Sequence, residues 1–186
     1  MALILASASP RRKELLGYIT KDFTVRVSDA DETTDPCMDA KDTVLHLAKI
    51  KGEAVHKDYP EDTVISADTV VVLGNNILGK PHSEEEAFSM LRSLSGRTHE
   101  VYTGVYIITP DETSCFYEET QVKFCELSDD DIRKYIATGE PFDKAGAYGI
   151  QGKGCTLISS ISGDYYNVMG LPAAKLNRTL KDKHII

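Results

Sequence analysis

Apolar and polar residues recur along the chain with two different periods, a pattern that predicts a mixture of strands and helices. Apolar β-branched runs, and stretches in which every second residue is apolar, predict strands. The predicted strands are the run that starts at residue 3 and the segments 23–27, 63–73, 77–79, 99–108, 114–125 and 157–161.

Helices are predicted where apolar residues recur three and four positions apart, or where a serine is followed three residues later by an acidic residue. Proline at a first helical turn gives the same indication. The predicted helices are 10 to about 17, 42 to about 56, 83 to about 94, 128 to 139, and a last one that starts near residue 172. Because no internal repeat or linker interrupts this series, we expect one α/β domain over residues 1–186.

Composition narrows the function classes. The chain has 41% hydrophobic and 27% charged residues, which is ordinary for a globular protein, and its net charge of -8 disfavours non-specific binding to nucleic acid. Neither a secretory signal nor an apolar run approaching the roughly 18 residues of a membrane span is found, so a cytoplasmic protein is expected. The four cysteines form no CxxC pair and are predicted to be buried free thiols.

The first predicted strand and helix are joined by a turn suited to phosphate. Ser9 is a helix-capping residue, and Pro10 fits the first helical position. Free backbone N–H groups at the helix start, with Ser7, Arg11 and Arg12 beside them, form an anion site. The alternative is an ordinary βα turn with two solvated arginines.

Asp68 is the strongest catalytic candidate, because it interrupts the most hydrophobic predicted strand. An unpaired buried carboxylate costs several kcal/mol, so Asp68 must pair with a cation, hold a metal or open on a cleft. A structural role, capping a helix or pairing with a lysine, is the alternative. The Gly74-Asn75-Asn76 turn is expected to return Lys80 towards Asp68.

Three other segments carry candidate chemistry. The acidic loop 28–36 offers metal-ligating carboxylates, although most of them suit a solvated turn. Lys51 lies on the predicted helix 42–56, and the pattern alone gives it no role beyond that of a solvated lysine. Small residues and glycines in 143–152 allow close approach of the backbone to a ligand, or serve steric needs alone.

The chain resembles the Maf family of nucleoside triphosphate pyrophosphatases over nearly its whole length. The resemblance lies in motifs that share the family's order and spacing: LASASPRR near the N-terminus, SADT at 66–69, LGKP at 78–81, LSGRTH at 94–99, and the segments 143–152 and 163–172. It implies a mixed α/β fold similar to the inosine triphosphate pyrophosphatases, with two lobes around a central cleft. It also implies a cytoplasmic homodimer that hydrolyses a nucleoside triphosphate to the monophosphate and pyrophosphate.

The resemblance further implies roles for individual residues. The catalytic carboxylate is Asp68, and Glu32 joins it in holding Mg²⁺ or Mn²⁺. The cations that handle the phosphates are Arg11, Arg12, Lys51 and Lys80, and the phosphate loop includes Ser7 and Ser9.

Arg12, Thr69 and Gln151 resemble the branch of the family that acts on dTTP and UTP. The Gln151 amide matches the donor and acceptor edge of uracil and thymine, or it only satisfies backbone groups of its loop. Two other functions stay open: a regulatory nucleotide-binding protein of septum formation, and a pyrophosphatase for purine or modified nucleotides.

Overall fold

A computed structural model describes residues 2–35 and 37–186, and within them the chain forms a mixed α/β fold. Pro36, at the end of the predicted acidic loop, lies outside the described residues. The helices are α1 (Pro10–Ile19), α2 (Ala40–His56), α3 (Glu84–Leu94), α4 (Asp129–Ile136), α5 (Tyr165–Met169) and α6 (Ala173–Asp182).

The strands of the described residues form one mixed sheet in the order β2-β1-β3-β5-β6-β7, with β4 paired to β3. Strand β1 is parallel to β2 and β3, whereas the β3–β4 and β6–β7 pairs are antiparallel. The predicted mixed sheet is therefore confirmed. The strands are β1 (Leu3–Ala6), β2 (Thr24–Arg26), β3 (Thr63–Leu73), β4 (Asn76–Leu78), β5 (Thr98–Ile108), β6 (Thr113–Phe124) and β7 (Ile158–Ser162).

The helix and strand predictions differ from the structure mainly near the C-terminus. Helix α4 ends at Ile136 rather than at Gly139, and α5 was not predicted. Three short 3₁₀-helices occupy much of the region between α4 and β7, where the sequence indicated only a glycine-rich segment. Such short turns depend on tertiary contacts rather than on a repeating apolar pattern.

The described chain divides into two compact units. The first contains the described residues up to Thr69, together with Thr103–Glu118 and Gly170–Ile186, and the second contains Val70–Tyr102 and Glu119–Met169. None of the described helices is long and apolar enough to cross a membrane. The expectation of a single domain over 1–186 stays a prediction.

The cysteine prediction was half right. All four cysteines are free, but Cys37, Cys115 and Cys155 are exposed and Cys125 is only half-buried. Cys37 lies in a turn and Cys155 in a 3₁₀-helix, where the backbone stays near solvent, and Cys115 occupies an exposed position of β6.

In the first unit, α2 packs closely on β3 because Gly52 has no side chain. A Cβ atom at Gly52 would lie 2.6 Å from Ser66 Oγ, whose hydroxyl donates a 2.6 Å hydrogen bond to the carbonyl oxygen of Ala48. Ala48 and Gly52 are four residues apart and therefore share one face of α2. This contact fixes the place at which α2 packs on β3. It therefore also fixes the position of Lys51, which precedes Gly52.

The core of the second unit includes a buried histidine in an aromatic cluster. His99 Nε2 lies 2.7 Å from the Tyr148 hydroxyl, and the His99, Phe124 and Tyr148 rings pack edge to face. Burial lowers the pKa of His99 from 6.5 to about 4, because a charged imidazolium would lose its hydration there. His99 is therefore neutral in the folded protein at pH 7.

The neutral state of His99 predicts acid sensitivity. The unfolded chain binds a proton at His99 below pH 6.5 and the folded chain only near pH 4, so stability is lost as the pH falls through this window. Between pH 7 and pH 5 the wild type is expected to lose stability because of His99. We expect the unfolding free energy of His99→Gln, measured by urea unfolding, to fall by about 2 kcal/mol less than that of the wild type over the same interval. The exposed His82→Gln is the control, and an equal pH dependence in both variants would contradict the assignment.

Candidate active site

The turn between β1 and α1 forms as the sequence predicts. Ser9 is the N-cap of α1, and its hydroxyl accepts a 3.4 Å hydrogen bond from the Arg12 N–H, with Pro10 next in the chain. The buried Ser7 accepts a 3.2 Å hydrogen bond from the Ser9 N–H. Arg11, half-buried, occupies the same first helical turn. Serine hydroxyls and arginines therefore converge at the positive end of α1.

Arg12 is not a solvated arginine. Its Nε donates to the Gly170 carbonyl oxygen at 2.8 Å, and its Nη2 donates to Thr69 Oγ1 at 3.0 Å. The Thr69 hydroxyl also lies 2.9 Å from that of Thr103, which is fully buried on β5. The guanidinium is thus fixed to the middle of β3 and cannot rotate freely.

The charges around Arg12 show which groups converge there. Burial is the largest influence and lowers the pKa of Arg12, while the negative charges of Asp68 and Glu32 raise it and the positive charge of Arg11 lowers it. Arginine stays protonated despite such a shift. Asp68, Glu32 and Arg11 therefore all lie within electrostatic reach of Arg12.

Asp68 and Glu32 share one cation, Lys51. Lys51 Nζ lies 2.6 Å from Asp68 Oδ1 and 2.9 Å from Glu32 Oε2. The side chains of Lys51 and Asp68 are only 14% and 12% exposed, whereas that of Glu32 is 57% exposed. Asp68 is therefore paired with a cation, which is one of the three outcomes expected of a buried carboxylate and is also what a structural role would produce. Lys51 is not the solvated lysine that its helix pattern indicated.

The backbone explains why these groups meet. Asp68 follows Ser66 by two residues on β3, so both side chains point to the face that α2 covers. Ser66 contacts Ala48 on α2, and Lys51 lies one helical turn further along the same helix. Glu32 comes from the loop between β2 and α2, and its exposed carboxylate reaches the same ammonium group.

Glu32 and Asp68 are the candidate ligands for a divalent cation. Two carboxylates from different segments face one positive group, and hard carboxylate oxygens are the ligands that Mg²⁺ and Mn²⁺ prefer. Residues 2–35 and 37–186 contain no cluster of three or more histidine, cysteine or acidic residues of the kind that holds a metal without other ligands. Glu32 and Asp68 would therefore supply only two side chains to a divalent cation, with phosphate oxygens or water as further ligands, and this metal site stays a prediction.

Lys80 and Gln151, the other predicted site residues, belong to the second unit. Lys80 is exposed and follows β4, whose antiparallel register pairs Leu78 with Val71. Gln151 is half-buried and precedes the 3₁₀-helix Gly152–Leu157. In the same loop the Gly149 N–H donates to the Tyr135 hydroxyl, and the Lys153 and Gly154 N–H groups donate to the Glu140 carboxylate. The proximity of Lys80 to Asp68 stays a prediction.

Sequence reasoning missed three residues that organise the site. No sequence pattern marks Gly52, yet it sets the contact between α2 and β3. Thr103 supports Thr69, and the Gly170 carbonyl anchors Arg12. A polar Thr103 within the apolar run 101–108 was a usable signal, whereas the roles of the two glycines follow only from tertiary contacts.

Fold and site together define a class, that of mixed α/β proteins in which a serine- and arginine-containing βα turn lies close to a lysine-paired carboxylate. The solved structure of the Staphylococcus aureus Ham1 protein shares the fold, with a TM-score of 0.50 and 21% identity over 66% of this chain and 71% of that one. The predicted fold class is thus confirmed.

The family model described as Maf-like protein matches residues 2–183, and the chain belongs to this Maf family. A Bacillus cereus protein named dTTP/UTP pyrophosphatase is 51% identical over 96% of this chain and 94% of its own length. A Bacillus mycoides protein of the same name is also 51% identical, with the same coverage of both chains.

The shared cation predicts how Lys51→Met behaves. Removing the ammonium leaves the Asp68 and Glu32 carboxylates facing each other, so we expect about 3 kcal/mol of destabilisation in urea unfolding at pH 7. Added Mg²⁺ or Mn²⁺ is expected to raise the Tm of this variant more than that of the wild type, because the ion replaces the lost charge.

The matched control is Lys49→Met on the same helix, whose pairing with Glu53 at 3.8 Å is exposed to solvent. An exposed pair of this kind contributes about 0.5 kcal/mol. Equal stability of the two variants, with no selective effect of the divalent ion, would refute the role assigned to Lys51.

Proposed function

We propose that this protein hydrolyses dTTP and UTP to the monophosphate and pyrophosphate, as a nucleotide house-cleaning enzyme. The observation that carries the proposal is the Lys51-paired Asp68 beside the serine and arginine turn of α1. Membership of the Maf family and the printed names of the two Bacillus relatives support the same reaction.

The triphosphate is bound by the positive groups around the α1 turn. The Ser7 and Ser9 hydroxyls supply hydrogen-bond donors, the N-terminal end of α1 contributes its positive dipole, and Arg11 and Arg12 supply positive charge. Lys51 and, by the family resemblance, Lys80 neutralise the charge that develops on the departing pyrophosphate. This set explains how an acidic protein binds a polyanion, because the positive charge is local.

Asp68 is the catalytic carboxylate of the proposal. Water is a weak nucleophile, so attack on the α-phosphorus needs a group that accepts its proton or orients it. Glu32 and Asp68 are the residues that would hold Mg²⁺ or Mn²⁺, and the ion supplies charge neutralisation and lowers the pKa of bound water. Lys51 holds both carboxylates in place before the substrate arrives.

Base choice is assigned to Gln151, Thr69 and Arg12. An amide offers a donor and an acceptor side by side, which is the pattern that the uracil and thymine edges present. The hydrogen bond from Arg12 to Thr69 joins the phosphate turn to the residue next to Asp68, and so links substrate position to the reacting centre. Cytoplasmic location and a homodimeric state complete the proposal.

The reaction is tested by assaying phosphate release from dTTP and UTP with and without added inorganic pyrophosphatase. We expect phosphate only when that enzyme is present, and no turnover in EDTA. Asp68→Asn keeps the shape of the side chain but loses its charge, so kcat is expected to fall by roughly 10²–10⁴-fold with an unchanged fold.

Asp58→Asn, an exposed position just after α2, is the matched control and keeps its activity. Direct release of orthophosphate would refute the bond assignment. Binding without turnover would favour a regulatory nucleotide-binding protein instead.

Gln151→Ala tests base choice. This variant loses the proposed hydrogen bonds between the Gln151 amide and the base. We expect kcat/KM for dTTP and UTP to fall about tenfold more than kcat/KM for a purine triphosphate. The exposed Gln121→Ala on β6 serves as the control. An equal loss for all bases would assign Gln151 to structure or phosphate handling, and a wild-type preference for purine or modified nucleotides would replace the pyrimidine assignment.

A further inference from the structure

The segment that carries Gln151 is held by two side chains of the second unit, one on each side of it. Before Gln151, the Tyr135 hydroxyl accepts a 3.2 Å hydrogen bond from the Gly149 N–H. After it, Glu140 Oε1 accepts from the Lys153 N–H at 3.1 Å and Oε2 accepts from the Gly154 N–H at 3.3 Å. Both oxygens of one carboxylate are thus committed to consecutive backbone groups.

The segment folds so tightly that its glycines are obligatory. Gly152 has a φ of +65°, and a Cβ atom there would lie 2.8 Å from Glu140 Oε1. A Cβ atom at Gly154 would lie only 2.0 Å from the Gly149 carbonyl oxygen. Since both backbone and carboxylate occupy this space, the path of the chain on either side of Gln151 is narrowly fixed.

Glu140 and Tyr135 are themselves well fixed. The Glu140 N–H donates to Thr138 Oγ1 at 3.2 Å, and Lys144 Nζ donates to the Glu140 carbonyl oxygen at 2.6 Å. Tyr135 is buried in α4, and burial, aided by the charge of Glu140, raises the pKa of its hydroxyl to about 12 despite the opposing Gly149 N–H. The hydroxyl therefore stays neutral over the working pH range.

We propose that Glu140 is a positioning residue for base recognition, acting through the Gln151 segment. This inference rests on the proposed base-reading role of Gln151. A recognition amide must be held within about half an ångström of its productive position, and a carboxylate that accepts from two neighbouring N–H groups does this more firmly than one neutral hydrogen bond. Glu140 touches neither phosphate nor base in this account.

The inference predicts a graded series. Glu140→Ala removes both acceptors and is expected to lower kcat/KM for dTTP and UTP about tenfold, chiefly through KM, with little change for a purine triphosphate. Glu140→Gln keeps one acceptor oxygen and is expected to fall between the wild type and Glu140→Ala. Glu119→Ala, exposed on β6 in the same unit, removes an equal charge and is expected to change neither value.

The experiment is a double-mutant cycle of Glu140→Ala with Gln151→Ala, combined with amide hydrogen exchange on the intact protein. We expect Glu140→Ala to speed exchange at Lys153 and Gly154, and to add no further loss of pyrimidine preference once Gln151 is alanine. Should Glu140→Ala not fold, Glu140→Gln provides the same comparison with a smaller effect.

The outcomes separate two failures. Faster exchange in Glu140→Ala with unchanged pyrimidine preference, while Gln151→Ala does change it, overturns the positioning role alone. Gln151→Ala without effect on base preference removes the proposed base-reading role, and the positioning role falls with it. Equal losses for all triphosphates in Glu140→Ala also overturn the inference, because they indicate general loss of structure.

Discussion

Asp68 lies in the middle of a buried strand, and the ammonium group of Lys51 makes that position tolerable. An ionised carboxylate without a partner would cost several kcal/mol there, so the position of α2 on β3 is a condition for the strand to exist in this form. The contact between Gly52 and Ser66 sets that position, because Gly52 is next to Lys51 on α2 and Ser66 is two residues before Asp68 on β3. Packing and chemistry therefore depend on the same helix-to-strand contact, and Glu32 joins it from a loop.

Strand β3 also connects Asp68 to the turn at the start of α1. Asp68 and Thr69 are neighbours on a strand, so their side chains point to opposite faces. Lys51 of α2 meets Asp68 on one face, and Arg12 of α1 meets Thr69 on the other. Two cations thus hold adjacent residues of one strand, and Thr103 and the Gly170 carbonyl keep the second of them in place. A displacement of the α1 turn would be transmitted to the residue next to the carboxylate.

The parts of the fold and site that local physics determines were predictable. Strand β3 was predicted with its observed bounds, and the Ser9 cap and the cation partner of Asp68 follow from helix-end chemistry and from the cost of a buried charge. The 3₁₀ region, the Glu140 contacts and the role of Gly52 were not, because they arise from segments distant in sequence. The family resemblance selected Lys51 and Glu32, which periodicity and loop composition alone left as solvated groups.

The roles of Glu32, Asp68 and the α1 turn are tested together by anomalous diffraction from crystals that contain Mn²⁺ and a UTP analogue with nitrogen bridging its α- and β-phosphorus atoms. We expect a manganese peak bonded to carboxylate oxygens of Glu32 and Asp68, with the phosphates at the α1 turn and Lys51 turned towards them. A nucleotide bound away from Ser9 and Arg12, with Lys51 still bonded to both carboxylates and no manganese between them, would contradict these roles.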